Sequence, residues 1–209
     1  MSRNYPPTVD AVLSIRPAAP ADRAAVEEIC VATGDDGRDA ADRYDDPTLL
    51  AHLWATPHLL ADPALGTIVE DHNGPAGYLV ATADTVAFER WCAQHWWPAL
   101  RQRYPLQAER RDTDRELVRL LHASEVTPAS LTDRYPAHLH INLLPRLQGA
   151  GLGRVLIERL VAQLRQRGVG GVHLGVSATN EPAIGFYRHM GFEPEAVEPD
   201  GGLIMVLSL

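Results

Sequence analysis

Lysine is missing altogether: all nineteen basic residues of the 209-residue chain are arginine. That excludes a phosphate-loop lysine and a Schiff-base lysine. A GC-rich coding sequence biases composition this way, so the absence itself reads as background. Cysteine is almost absent as well. Cys30 and Cys92 stand far apart in apolar or helical contexts and make neither a disulfide framework nor a metal site. Positive charge is in short supply, 19 basic against 27 acidic residues, a net charge of −8. That argues against nucleic acid and anionic membrane as partners. No apolar run approaches the ~20 residues of a membrane span, and "MSRNYPPTVDAV" lacks the apolar core of a secretory signal. With 45% hydrophobic and 22% charged residues, the chain reads as one soluble domain over residues 1–209, with the cytoplasm as its expected place.

The order of elements is mixed α/β (α+β). "AVLSIRPA" predicts a first strand, and "APADRAAVEEICVATG" a helix stopped at Gly34. "PTLLAHLWATPHLLA" predicts a second helix interrupted near Pro57. "GTIVED" and "AGYLVATAD" form a hairpin around "HNGP". Between about 84 and 134 the pattern turns helical, with Phe88, Trp91 and His95 on one face and Ala93, Trp97 and Leu100 on the next; "RDTDRELVRLLHAS" is a shorter amphipathic helix. Then come a strand "AHLHINLL", a glycine loop, a helix "GRVLIERLVAQLRQRG", a strand "GVHLGVS", a helix "NEPAIGFYRHMG" and a last strand "GLIMVLSL". That strand is apolar enough for a dimer edge or for an ordinary buried strand, so monomer and homodimer both stay open.

"LLPRLQGAGLGR" carries the chemistry. Read from Gly149 as a dinucleotide fingerprint, its third glycine falls one place early, and "HLGVSATN" supplies no acid for a ribose hydroxyl. A Walker loop needs the lysine that the chain lacks. What remains is a strand ended by Pro145, Gln148, and three alternate glycines opening a helix. Exposed backbone N–H groups and the positive end of the helix dipole make an anion site there, and glycine lets a pyrophosphate approach the backbone.

These residues resemble the acetyl-CoA motif Q/R-x-x-G-x-G/A of the GNAT acetyltransferases, with Gln148, Gly151 and Gly153 at its positions. "NEPAIGFYRHMGF" is similar to the same family's last helix, where Asn180, Ala183, Phe186 and Tyr187 match. "VATGDDGRDAADRYDDPTLLAHLW" and "DTVAFERWCAQHWWPALRQRYP" extend the likeness from about Ile15 to the C-terminus. There it resembles bacterial acetyltransferases related to the C-terminal acetyltransferase-like domain of eukaryotic O-GlcNAcase. The resemblance implies a GNAT fold: a twisted sheet of six to seven strands flanked by helices, a helical insertion at about 84–134 and an acetyl-CoA-binding core at about 137–192. It implies no glycosidase activity.

The resemblance also implies that the pantetheine arm of acetyl-CoA lies between two diverging strands and bonds the backbone at Leu143 and Leu144. The pyrophosphate takes N–H groups from Gly149, Ala150, Gly151, Leu152, Gly153 and Arg154, with the Arg154 side chain as an extra cation. Asn180, Ala183 and Tyr187, spaced i, i+3, i+7, share a helix face and offer an amide, a small residue and a phenol. Tyr187 is implied as the acid that protonates the departing thiolate; its other reading is a core aromatic. Acetyl then passes directly to a small-molecule or peptide amine.

Strand alternation places His138, His140, Asn142 and Leu144 on one face and Leu139, Ile141 and Leu143 on the other. The resemblance puts an aspartate where this chain has Asn142. An asparagine cannot accept a proton, so its expected part in catalysis is to orient the acceptor or a water, with His140 also on the acceptor side; His138 and His140 are the alternatives as base, or else hydrogen-bonded structure. Asp35 and Asp36 border the acceptor side and are candidates for holding a cationic amine, or else form a capping turn. Trp91, Trp96 and Trp97 are candidates for roofing the acceptor pocket. An H-x-H metal pair with His173 is weighed and set aside, so no metal is expected. The rival readings are a CoA-binding sensor without activity and an interaction module with a vestigial loop.

Overall fold

The computed structural model describes residues 13–123, 126–197 and 201–209. The N-terminal segment, including the first two residues of the expected first strand, lies outside them. Seven strands make one sheet in the order β1 (Ser14–Pro17), β2 (Thr67–Asp71), β3 (Gly74–Thr82), β4 (Ala137–Leu143), β5 (Gly171–Val176), β7 (Leu203–Ser208), β6 (Glu193–Val197). All neighbours are antiparallel except β4 and β5. This is the mixed sheet that the sequence implies, with one strand more than its patterns show. β6 is the extra one. It is exposed at every position, carries Pro194 and has a register shift beside it, so no alternation betrays it. Because β6 takes the edge, β7 lies inside the sheet between β5 and β6. The dimer-edge reading of the last strand therefore gives way to the ordinary buried one.

Helices cover both faces, and period-two alternation divides the strands between two cores. On β3, Leu79 and Ala81 enter one core and Tyr78 and Val80 the other. The first core is filled by α8 (Leu152–Gln166) and α9 (Glu181–His189). On α8, Leu152, Leu156, Ile157, Leu160 and Leu164 are buried at helical spacing. The second core gathers α1 (Arg23–Ala32), α2 (Thr48–Trp54) and α3 (Thr56–Ala61). Pro57 explains the break between α2 and α3: the chain leaves helical geometry at Ala55 and restarts with proline in the first turn.

The 84–134 stretch folds as α4 (Thr85–Trp91), a π-helical turn at Cys92–Trp96, α5 (Trp97–Arg103), α6 (Asp112–Ala123) and α7 (Ala129–Thr132). The expected single helix is thus broken where Pro98, which has no N–H to donate, enters the first turn of α5. Leu100, Tyr104, Leu117, Val118 and Leu121 join the second core. Cys30 and Cys92 are both free and buried. Among the described residues no helix is long and apolar enough to cross a membrane.

Strand β5 starts against a tight wall. A Cβ on Gly171 would lie 2.5 Å from a Tyr135 ring carbon and 2.7 Å from the Arg134 carbonyl oxygen. Backbone cannot yield as a side-chain tip does, so Gly171→Ala is expected to cost about 1–3 kcal/mol. Urea unfolding should show this as a lower midpoint at unchanged slope.

Candidate functional site

β4 and β5 pair only at Ala137↔Val172 and His138↔His173, yet β4 stays paired to β3 out to Leu143 and β5 to β7 out to Val176. The sheet therefore splits beyond His138, and the split opens a cleft of about 1240 Å³. At its end β4 runs into Pro145 and the glycine loop, which sits at the N-terminus of the 15-residue α8.

The three glycines do different work. Gly149 and Gly151 have φ of +74° and +76°, and a Cβ on either would point into open space; they are needed for their backbone conformation. Gly153 is helical and would bring a Cβ within 3.0 Å of the Phe186 ring tip, so it lets α8 and α9 approach closely. Gly149, Gly151, Leu152 and Gly153 line the cleft, whereas Ala150 and Arg154 do not. The Arg154 guanidinium is paired with Glu158 at 2.7 Å, one turn along the helix, so its side chain faces away from the role of extra cation. Arg146 is likewise held by Asp71 at 2.6 Å. The positive field at the loop comes from backbone N–H groups and the helix dipole.

Gln148 lines the cleft and donates from Nε2 to the Leu143 carbonyl at 2.9 Å, which ties the loop to the strand end. Leu143 and Leu144 differ. The Leu144 N–H is given to Ala76 of β3 at 2.9 Å, and its carbonyl accepts from Leu147 at 2.8 Å. Leu144 therefore has its backbone engaged away from the split, which corrects the expectation that both residues offer theirs. Alternation turns the Leu143 N–H to the opposite edge, toward β5.

Across the cleft, Asn180 caps α9: its Oδ1 accepts from the Ala183 N–H at 3.2 Å. It is the cap residue just outside the helix, but Asn180, Ala183 and Tyr187 line the cleft on the one face that their spacing predicts, and Phe186 lines it as well. Tyr187 lines the cleft and also belongs to the first core, beside Phe186 and Phe192. Burial holds its phenol protonated well above the ordinary tyrosine range.

Asn142 lines the cleft wall, and its amide is a structural clamp. Nδ2 donates to Thr33 Oγ1 at 2.6 Å, and Oδ1 accepts from the Tyr78 hydroxyl at 2.8 Å. The Thr33 hydroxyl gives its own proton to the Ile29 carbonyl at 2.7 Å, which fixes the amide orientation. The residue thus bolts the end of α1 to β4 and β3. Nothing in the sequence pattern marked Thr33 or Tyr78 as its partners, since they come from two distant elements.

The acidic pair separates. Asp35 is engaged by Arg43 and by Arg38 (3.2 Å for the latter) and does not line the cleft, so it is not the open carboxylate expected for an amine. Asp36 does line it. It holds a positive φ of 50° and accepts from Thr179 Oγ1 at 2.9 Å, bridging the α1–α2 connection to the β5–α9 loop. Asp36 is the one carboxylate lining the cleft among the described residues. The tryptophans of the insertion do not reach it: Trp96 donates to the His52 carbonyl at 2.8 Å, and Trp91 stacks on His95. Trp54 of α2 stands at the cleft instead.

His140 also lines the cleft. Burial and the nearby His173 pull its pKa down to about 4, leaving a neutral imidazole at neutral pH. Behind it lie His138 and His173, and also His58 from α3, which no pattern along the chain places here. A lone histidine in a short helix carries no spacing signal.

The Asn142 clamp makes a measurable claim. Asn142→Ala removes the amide acceptor of the Tyr78 hydroxyl and the donor to Thr33; both residues are buried, so the loss should be about 1–3 kcal/mol. Chemical denaturation checks it, and a neutral effect would show the clamp to be incidental.

Known proteins resemble this chain in sequence and in fold. The sequence profile of the "Acetyltransferase (GNAT) family" matches residues 26–192. A crystal structure of SsHAT superposes with a TM-score of 0.86 at 40% identity, covering 94% of this chain and 98% of that one. Protein O-GlcNAcase of Rattus norvegicus is 22% identical over 193 residues, 86% of this chain and 20% of that protein. The chain thus spans about a fifth of the length of that relative. A putative acetyltransferase of Salmonella typhimurium, solved with its cofactor acetyl-CoA, shares the fold at a TM-score of 0.54 and 21% identity, covering 94% of each chain. With the profile spanning most of the chain and the split sheet carrying the matching loop, the protein belongs to the GNAT family of acetyltransferases.

Proposed function

We propose that the protein binds acetyl-CoA in the β4–β5 split and passes its acetyl group directly to an amine, with residues 84–134 as an insertion in a single catalytic domain. The observation that carries this reading is the coincidence of three features. Strand pairing stops after two residue pairs, the cleft opens there, and the glycine loop presents the N-terminus of α8 at its end.

The pantetheine amides would extend along the unpaired edge of β4 at Leu143, with Gln148 yielding its bond to that carbonyl. Gly149 to Gly153 would take the pyrophosphate. The acceptor would enter past Asp36, whose carboxylate meets an ammonium at the cleft wall. His140 is too weak a base to take a proton from an ordinary alkylammonium, so its part is to position the acceptor, and the proton leaves through water. Backbone N–H groups stabilise the oxyanion of the tetrahedral intermediate. As that intermediate collapses, Tyr187 donates a hydrogen bond to the developing thiolate, whose conjugate acid has a pKa near that of a cysteine thiol, about 8.5. The phenol, held protonated by burial, is in the right state to do so.

Two measurements test this. In calorimetric titration with acetyl-CoA, Gly151→Asp should weaken binding at least tenfold, about 1.4 kcal/mol. Gly168→Asp is the control: Gly168 also has positive φ and open space, but lies at the other end of α8. NAD should not bind. An acceptor found by screening amines for thiol release then allows Tyr187→Phe to be assayed. Its kcat should fall about a hundredfold with little change in KM for acetyl-CoA. Binding without thiol release from any amine would leave a CoA-binding protein and refute the transfer.

A further inference from the structure

Below the cleft, the polar face of β4 meets α3 in a group of imidazoles. His138 and His140 point to that side of the sheet, and His58 comes down from α3. The His58 and His138 Nε2 atoms approach to 2.5 Å. One ring nitrogen from each of His58, His138 and His140 can be chosen so that all three lie within 4.8 Å of one another. Their rings are set edge to face, centroids 4.7 Å apart for His58–His138 and 4.8 Å for His58–His140. His58 is 2% exposed and stacked on Phe88 at 4.1 Å, so the group has a dry, rigid back wall.

The hydrogen bonds around this group do not close without a further atom. Thr85 Oγ1 gives its proton to the Pro136 carbonyl at 2.8 Å and lies 2.8 Å from His138 Nδ1, so it must accept from that nitrogen. The proton of His138 therefore sits on Nδ1, and its Nε2 presents a lone pair to His58. If His58 carries its proton on Nε2, it can donate to His138, but its own Nδ1 is then a buried acceptor with no partner. If the proton is on Nδ1, two lone pairs face each other at 2.5 Å. A cation between them is what that second arrangement accepts, and the Thr85 bond is the kind of support that orients a ligand imidazole.

We propose that His58, His138 and His140 form a metal site of the zinc class, with three neutral imidazoles and an open fourth position. The donor set excludes calcium and magnesium, which demand oxygen ligands. Two nitrogens bound tetrahedrally at about 2.0–2.1 Å stand about 3.3 Å apart. His58 and His138 need separate by only about 0.8 Å from their present 2.5 Å. Burial and mutual proximity keep all three rings neutral, as ligands must be. His140 also lines the cleft, so the ion would sit at the floor of the acceptor end, about 10 Å of strand from Leu143. The site stands apart from acetyl-CoA binding and can be tested without activity.

The test uses untagged protein stripped with a chelator and titrated with Co²⁺. The expected result is one equivalent bound with the intense visible bands of a tetrahedral ion, displaced by Zn²⁺, and an upward shift in Tm on metal addition. Surface histidines would give only the pale spectrum of octahedral cobalt. His140→Gln, on the cleft wall, and His58→Phe, which keeps the stacking on Phe88, should each weaken binding at least a hundredfold. If either variant fails to fold, the wild-type spectrum still decides. Wild-type protein that shows no tetrahedral bands, or binds cobalt no better than a folded His140→Gln variant, overturns the proposal and leaves an imidazole–imidazole hydrogen bond.

Discussion

Everything at the site depends on where β4 lets go of β5. Two residue pairs hold the parallel strands together, and each is then kept by its other neighbour, β3 on one side and β7 on the other. The split exposes a strand edge whose backbone groups need partners, and it is lined from both cores at once. Gly171 sets where β5 begins, through its contact with Tyr135 and Arg134. The Asn142 clamp fixes the far end of β4 against α1. Both act on the shape of the cleft, Gly171 from outside its lining and Asn142 from within it.

The proposed binding of an anionic cofactor does not rest on the arginines beside the loop. Arg154 and Arg146 are both paired within the protein. Backbone N–H groups freed by two left-handed glycines and by the first turn of a 15-residue helix carry the positive field. Such a field is fixed in direction and costs little side-chain entropy on binding. It fits a protein of net charge −8, in which loose cations would find carboxylates first.

The polar face of β4 shows two outcomes of burying hydrogen-bonding groups. At Asn142 both ends of the amide meet partners, and the result is a clamp. At His58 one nitrogen stays unpartnered, and a close nitrogen–nitrogen contact stands beside it. The first kind of burial stabilises; the second invites a ligand, because an unsatisfied buried group is costly.

The sequence by itself determined the loop and what could sit in it. The glycine spacing, the missing lysine and the N-x-x-A-x-x-F-Y helix are local, and local patterns are legible because each residue answers to its own backbone. The alternation that turned His138, His140 and Asn142 to one face was legible for the same reason. β6 was not, because an exposed edge strand carries no apolar period, and the π-helical turn before Pro98 interrupted a pattern that looked continuous. Tertiary structure alone decided which of two adjacent aspartates faces the cleft, since Asp35 is claimed by arginines and Asp36 is not. It also packed Trp96 and Trp97 against the second core and set His58 against His138, eighty residues apart in the chain. Long-range pairings of this kind depend on how whole helices dock against the sheet, and no spacing along the chain encodes them.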